Sequence, residues 1–253
     1  MSKFGYQSLG FGGGVSGSSL VDGEQDVIDL EPAAWWDASY DGSIELNGAT
    51  VSGWTSREGN DIKLVQVCAA EQPTFNASNA DFNDYSTLSF DSTADQWIGI
   101  NARYVDTSGN VGTIFYVGKE QNGDTNARIV HWPHNGQASM GTNYGSKNLF
   151  AYANIVSFGP TTSVTEDQLD PYMAVILING SSSYASMNEE SDVTFTAHAN
   201  MTVDSGNTAV GGTGGTTENA STIAAEYIIF NTALIPDNVA KVEAYLKNKY
   251  DGF

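Results

Sequence analysis

The chain of 253 residues carries 30 acidic against 10 basic residues, a formal charge of −20 at pH 7, while only 16% of its residues are charged. So few Lys and Arg oppose the phosphates of nucleic acid and the headgroups of an anionic membrane, so neither is expected as a partner. A single cysteine, Cys68, excludes an internal disulfide and a thiolate metal cluster and reads as a small core residue.

Residues 1–28 are rich in Gly and Ser, with widely spaced Phe4, Tyr6, Leu9 and Phe11. Such a composition builds no core of its own but offers separated apolar anchors, so an extended arm that orders on a partner is expected. This opening lacks the apolar stretch of a secretory signal, and no later run reaches membrane-spanning length, so no membrane insertion is expected. The Asn-x-Ser/Thr sequons at Asn76, Asn179, Asn200 and Asn219 therefore read as composition, not as glycan sites.

From Asp29 onward, β-rich runs alternate with Gly, Asn, Asp, Ser and Pro clusters: AAWWDAS, DIKLVQV, STLSF, QWIGI, GTIFYVG, ARIVHW, YMAVILING, DVTFTAHANMTV and AEYIIF. Alternation turns Trp35 and Trp36 to opposite faces, making one of them a core residue. The nearly unbroken apolar run YMAVILI predicts a central strand buried on both faces. Pro236 opens a helix over 236–250, with Val239, Val242, Leu246 and Tyr250 on one buried face. Asp237 complements its positive end, Lys247 and Lys249 its negative end, and Gly252 is placed to cap it. The elements together predict an all-β chain: an antiparallel β-sandwich over 29–253, with a C-terminal helix packed on it.

The segment AAWWDASYDGSIELNGATVSGWTSREGNDIKLVQ, followed by QPTFNAS and STLSFDSTADQWIGI, resembles the opening of the concanavalin A-like lectin/glucanase superfamily, in its laminin-G-like branch. The features that carry the resemblance fall at Trp36 to Ser39, Trp54 to Asn60, Gln66, Pro73 to Phe75, and Phe90 to Asp91. AEYIIFNTALIPDNVAKVEAYLKNKYDGF is similar to the family's terminal strand and helix, so the resemblance implies a sandwich of the jelly-roll, lectin-like type. Arg57 and Glu58 depart from the pattern where Lys-Ser is usual. Members of this superfamily include sugar binders, hydrolases, adhesion modules and structural domains, so the resemblance speaks to fold more than to function. Its glucanases often carry Glu-x-Asp-x-Glu on one strand. EQDVID, residues 24–29, nearly imitates that motif but precedes the first core strand.

Glycan contact is expected at aromatic residues beside polar loops: Trp97, Trp132, Tyr144 and Tyr152, with Asn143 and Asn148. Core packing is the competing reading for Trp97 and Trp132. The acids Asp81, Asp84, Asp91 and Asp95 are weak calcium candidates, because they lack the spacing of an EF-hand loop, and no other cofactor is implied. HWPH, from His131 to His134, has metal-ligand spacing, but Pro133 opposes the helix that would put both imidazoles on one face.

The functional expectation is a non-enzymatic structural protein of a virus particle, a bacteriophage capsid-decoration, head-fibre or tail component, located in the virion. The fold usually works outside cells and the chain shows no export signal. The arm would then attach to capsid or tail subunits, the chain would oligomerise on the particle, and the sandwich would face host cell-surface glycans. The alternative is an extracellular carbohydrate-binding module, or a glycoside hydrolase.

Overall fold

The computed structural model describes residues 20–58, 62–100, 111–121, 127–132, 138–143, 148–152, 169–189, 193–195, 208–212 and 219–251. Strands in the first part of the chain are β1 (Ala34–Asp37), β2 (Ile44–Asn47), β3 (Thr50–Thr55), β4 (Lys63–Val65), β5 (Thr74–Asn76), β6 (Thr87–Ser89) and β7 (Ile98–Ile100). They continue as β8 (Val111–Glu120), β9 (Ala127–Trp132), β10 (Ala138–Asn143), β11 (Asn148–Tyr152), β12 (Tyr172–Asn179) and β13 (Ser183–Met187). The last three are β14 (Val193–Phe195), β15 (Thr208–Val210) and β16 (Thr222–Phe230). Among the described residues, two α-helices frame them, α1 (Glu24–Asp29) and α2 (Pro236–Tyr250).

All these strands join one hydrogen-bonded sheet in the order β11-β10-β9-β15-β7-β4-β3-β5-β6-β16-β8-β12-β13-β14, with β1 on β16 and β2 on β3. Its long central ladders, β8 with β12 and β8 with β16, are antiparallel, as is the β1–β16 pair. The sheet curls back on itself. Trp54, Leu64, Ile98 and Val210 from one half share a core with Ile114, Ile176 and Tyr227 from the other. Burying apolar area between the two halves is what holds the curl closed.

The expected two-sided burial of β12 is observed. Tyr172, Ala174, Ile176 and Ile178 enter the core inside the curl, while Met173, Val175 and Leu177 enter a second core beneath α2. Period-two alternation alone produces this division, because every residue of the strand except Asn179 is buried. Trp35 and Trp36 divide in the same way, but both are fully buried, Trp36 inside the curl and Trp35 under the helix. One core residue was expected there; the helix supplies the second cover.

Strand β16 carries a bulge. Its register against β8 shifts between Ala224 and Glu226, leaving Ala225 without a partner. Ala224, Tyr227 and Ile229 face the inner core, whereas Ala225, Ile228 and Phe230 face the helix. The extra residue changes the phase of the strand and sends Glu226 to the helix side instead of into the inner core.

Helix α2 occupies the expected 236–250 and buries Val239, Val242, Leu246 and Tyr250, joined by Tyr245 and Lys249. The left-handed residue at its end is Asp251 (φ 44°), whose N–H donates to the Lys247 carbonyl at 3.0 Å. Gly252, expected in that role, lies outside the described residues.

Two expectations are corrected here. Residues 24–28, the end of the expected extended arm, are helical, because they belong to α1 (Glu24–Asp29). Gly23 starts this helix at φ 85°, and a Cβ there would sit 3.3 Å from the Tyr245 Cα, so α1 approaches α2 closely through a glycine. Cys68 is exposed, because strand β4 ends at Val65 and Cys68 precedes the surface turn Ala69–Glu71. The arm positions Phe4, Tyr6, Leu9 and Phe11 lie outside the described residues.

Candidate functional site

The residues expected to contact glycan divide between two places in the sheet. Trp132 ends β9 in register with Ala138, Asn143 pairs with Asn148 across β10 and β11, and Tyr152 pairs with Ser139. Trp97 precedes β7, on the far side of β15, so it is not a neighbour of that group in strand order. It is half-buried and its indole N–H donates to Glu71 Oε2 at 3.2 Å, fixing the Ala69–Glu71 turn. Tyr144 and His134 lie outside the described residues.

The four aspartates considered for calcium sit in two separate turns. Asp81 pairs with Lys119, and Asp84 accepts from Ser78 Oγ at 3.2 Å. Asp91 caps the Ser92–Ala94 turn, and Asp95 Oδ1 accepts from Asn219 Nδ2 at 3.3 Å. Among the described residues, no group of three His, Cys, Asp or Glu is placed to hold a metal ion.

A different constellation stands out where β1, β16 and the two helices meet. Asp37 and Glu226 are partners across the β1–β16 ladder, and Lys249 of α2 reaches both, at 2.7 Å to Asp37 Oδ2 and 2.8 Å to Glu226 Oε2. All three side chains are almost completely buried. Glu226 accepts three further bonds: from Trp35 Nε1 at 2.6 Å, Tyr245 Oη at 3.0 Å and Tyr250 Oη at 2.7 Å. Four donors therefore fill the lone pairs of one sealed carboxylate. Asp37 Oδ1 accepts from the Ser39 amide at 2.9 Å and its hydroxyl at 2.7 Å, and Arg57 joins Oδ2 at 3.4 Å. Arg57 also pairs with Glu24 of α1, and its guanidinium lies between the rings of Trp35 (4.2 Å) and Tyr40 (4.3 Å).

These contacts set the charges. Burial opposes ionisation of Asp37, but the charge and hydrogen bond of Lys249, with help from Ser39, hold its carboxyl below the ordinary value. Burial likewise opposes the Lys249 charge, and Glu226 and Asp37 outweigh it, so the ammonium is held above its ordinary value. Burial pushes the Glu226 carboxyl up, with Lys249 pulling against it and the Asp37 charge adding to the rise. Tyr245 and Tyr250 are pushed well up by burial beside the same acids and stay hydrogen-bond donors. The pair thus has the split titration of an acid and a base, but Glu226 is fully enclosed and out of reach of any substrate. Its work is to bind α2 to the sheet.

The reachable chemistry lies in front of this cluster, in a cavity of about 620 Å³ with Asp37, Arg57 and Lys249 at its base. Tyr40, Asp41, Glu58 and Tyr85 line it. Tyr40 is 45% exposed, with Arg57 at its ring. Asp41 and Glu58 have no side-chain partner among the described residues, unlike Asp37 and Glu24, which Arg57 and Lys249 neutralise. The cavity therefore offers an aromatic surface beside two carboxylates able to accept hydrogen bonds.

None of these residues was expected as a functional group. Two signals in the sequence bear on them. Glu226 is a lone acid in the apolar run AEYIIF, and Lys249 follows Leu246 by three positions and Val242 by seven, on the buried stripe of α2. Arg57 and Glu58 mark the departure from the laminin-G-like pattern.

No family model matches the chain, and no curated protein matches it. Solved structures do share its fold. An arabinofuranosidase complexed with arabinofuranosyl-α-1,2-xylobiose has a TM-score of 0.64 at 9% identity, covering 89% of this chain and 64% of its own. A GH54 α-L-arabinofuranosidase soaked with a cyclic sulfate inhibitor has 0.63 at 9%, covering 89% and 65%. Trypanosoma rangeli sialidase in complex with the inhibitor DANA has 0.51 at 10%, covering 85% and 32%. This chain thus spans about a third of the sialidase and just under two thirds of the arabinofuranosidases. The expectation of a non-enzymatic virion component is corrected by these structures, because all three are glycosidases.

Proposed function

We propose that the curled sheet is a lectin-like β-sandwich and that the chain is a carbohydrate-active enzyme of the glycosidase kind, taking its glycoside in the Tyr40 cavity. The observation that carries this is the pairing of the open Tyr40 ring with the two unpartnered carboxylates of Asp41 and Glu58 in one cavity. A pyranose or furanose ring presents C–H groups to an aromatic ring and hydroxyls to carboxylates, so it fits both at once. Cleavage of a glycosidic bond needs one carboxyl to protonate the leaving oxygen and a second carboxylate to attack or to activate water. Asp41 and Glu58 are the lining acids available for those roles. Glycosidases of like fold support the substrate class.

The test is a panel of aryl glycosides and oligosaccharides assayed with the wild type, Asp41→Asn, Glu58→Gln and Tyr40→Ala. Loss of an acid or base should lower kcat by roughly 10²-fold or more, and loss of the ring should raise KM. Turnover that survives both carboxylate substitutions, or no turnover of any glycoside, would overturn the reading.

A further inference from the structure

A second recess lies elsewhere on the molecule, where the Asp91 turn meets the ends of β8 and β16. It has a volume of about 450 Å³, and Thr74, Asp91, Gln96 and Gln121 line it above Phe90 and Ser221. Three of its polar side chains, Asp91, Gln96 and Gln121, share one feature. Each is fixed by hydrogen bonds through one terminal atom and leaves the other terminal atom without a partner among the described residues.

Asp91 Oδ1 accepts from the Thr93 amide at 2.8 Å and hydroxyl at 2.7 Å, which leaves Oδ2. Gln96 Oε1 accepts from the Asp91 amide at 2.9 Å, which leaves its NH₂ group. Gln121 Nε2 donates to Ser89 Oγ at 2.7 Å and to the carbonyls of Phe90 and Thr222, both at 3.0 Å, which leaves Oε1. None of the three remaining atoms has a partner among the described residues. The turn that carries Asp91 is itself tied down, because Ser92 Oγ and Ser221 Oγ lie 2.7 Å apart in a hydrogen bond.

The geometry points to a preorganised binding site for a neutral, hydroxyl-rich ligand, a monosaccharide unit held through adjacent hydroxyls. An acceptor, a donor pair and a second acceptor already have their rotamers fixed, so binding spends little side-chain entropy on them. Hydroxyls both donate and accept, and adjacent ones can answer such a set together. An anion would face the Asp91 carboxylate, and a cation would face the Gln96 amide protons, so the recess favours a ligand with no charge. The site is separate from the Tyr40 cavity and stands whether or not that cavity turns over a glycoside.

Two substitutions preserve the internal bonds while reversing the free atom. Gln96→Glu keeps an oxygen for the Asp91 amide and replaces the free donor with an acceptor. Asp91→Asn keeps Oδ1 for Thr93 and replaces the free acceptor with a donor. The experiment is a titration of the ¹⁵N-labelled full chain with glucose, galactose, mannose, arabinose, xylose and their disaccharides to about 10 mM, tenfold above a Kd of about 1 mM. At least one sugar should give saturable shifts at the amides of Asp91, Gln96 and Gln121. Each substitution should weaken that binding roughly tenfold or more, while Tyr40→Ala leaves it unchanged. The wild-type titration reads the site without any substitution. No shift at these amides with any sugar, binding unaltered in both variants, or binding lost in Tyr40→Ala would each overturn the proposal.

Discussion

Replacing Lys249 by Met should destabilise the protein more through the charges left behind than through the one removed. The ammonium lies 2.7 Å from Asp37 and 2.8 Å from Glu226, and all three side chains are shielded from water. Met fills a similar volume but leaves the two carboxylates facing each other across the β1–β16 ladder. Glu226 would keep Trp35, Tyr245 and Tyr250 as donors, and Asp37 would keep Ser39 and the longer contact to Arg57. Removing one partner of a buried ion pair costs about 3–5 kcal/mol. At about 2–4 °C per kcal/mol for a chain of this size, the melting temperature should fall by about 6–20 °C at pH 7.

The pH dependence separates this mechanism from a simple packing loss. Without Lys249, both acids sit buried with their folded pKa values above the unfolded ones, so the folded variant binds protons more tightly than its unfolded chain. Its stability therefore rises as pH falls through those folded values, and its deficit against wild type shrinks between pH 7 and pH 5. Urea unfolding at both pH values measures the difference. A deficit under about 1 kcal/mol at pH 7, or one equally large at both pH values, would refute the argument.

Asp37→Asn should show the opposite trend. Against its burial, Lys249 and Ser39 hold the folded pKa of Asp37 below the ordinary carboxyl value, so its contribution is complete above the unfolded pKa and is lost as pH falls through the folded one. The wild-type advantage over the variant should therefore be present at pH 7 and fade in acid, as read by urea unfolding from pH 7 down to about pH 2. Gly211→Ala should lower the melting temperature measured by calorimetry. Gly211 has φ 84°, and a Cβ there would collide with the Phe90 ring beneath the polar recess, so either strain or displacement of Phe90 should cost about 1–3 kcal/mol.

Helix α2 was legible because its signals are local. Pro236 marks the start, and Val239, Val242, Leu246 and Tyr250 repeat at helical spacing. The same applies to β12, whose unbroken apolar run needs cover on both sides. The EQDVID segment was ambiguous for a related reason. Glu24 and Asp26 stand two apart as residues on one face of a strand would, but Asp29 breaks that spacing, and Gly23 and the packing of Val27 in the helix-side core make the segment a helix. Cys68 reads as a core residue because its alternating apolar neighbours suggest a longer strand, whereas β4 ends at Val65 and Cys68 precedes a surface turn.

The glycan candidates on β9, β10 and β11 were found as residue types, but their strand order and register are long-range facts. The Asp91 recess shows the same limit more sharply. Asp91 was singled out as an acid, whereas the free atoms of Gln96 and Gln121 exist only because distant backbone groups hold the other ends of those side chains.

By itself the sequence determined the β-rich body, the doubly buried central strand and the closing helix, because propensity and periodicity act over a few residues. Only the tertiary structure decided that Glu226 faces the helix, that Asp37 lies beside it and that Lys249 joins the two. A one-residue bulge at Ala225 reverses the side on which every later residue of β16 falls, and pairing with β1 brings in an acid from the other end of the chain. Neither event leaves a local pattern, since both follow from which register buries the most apolar surface while satisfying the charges that must be enclosed with it.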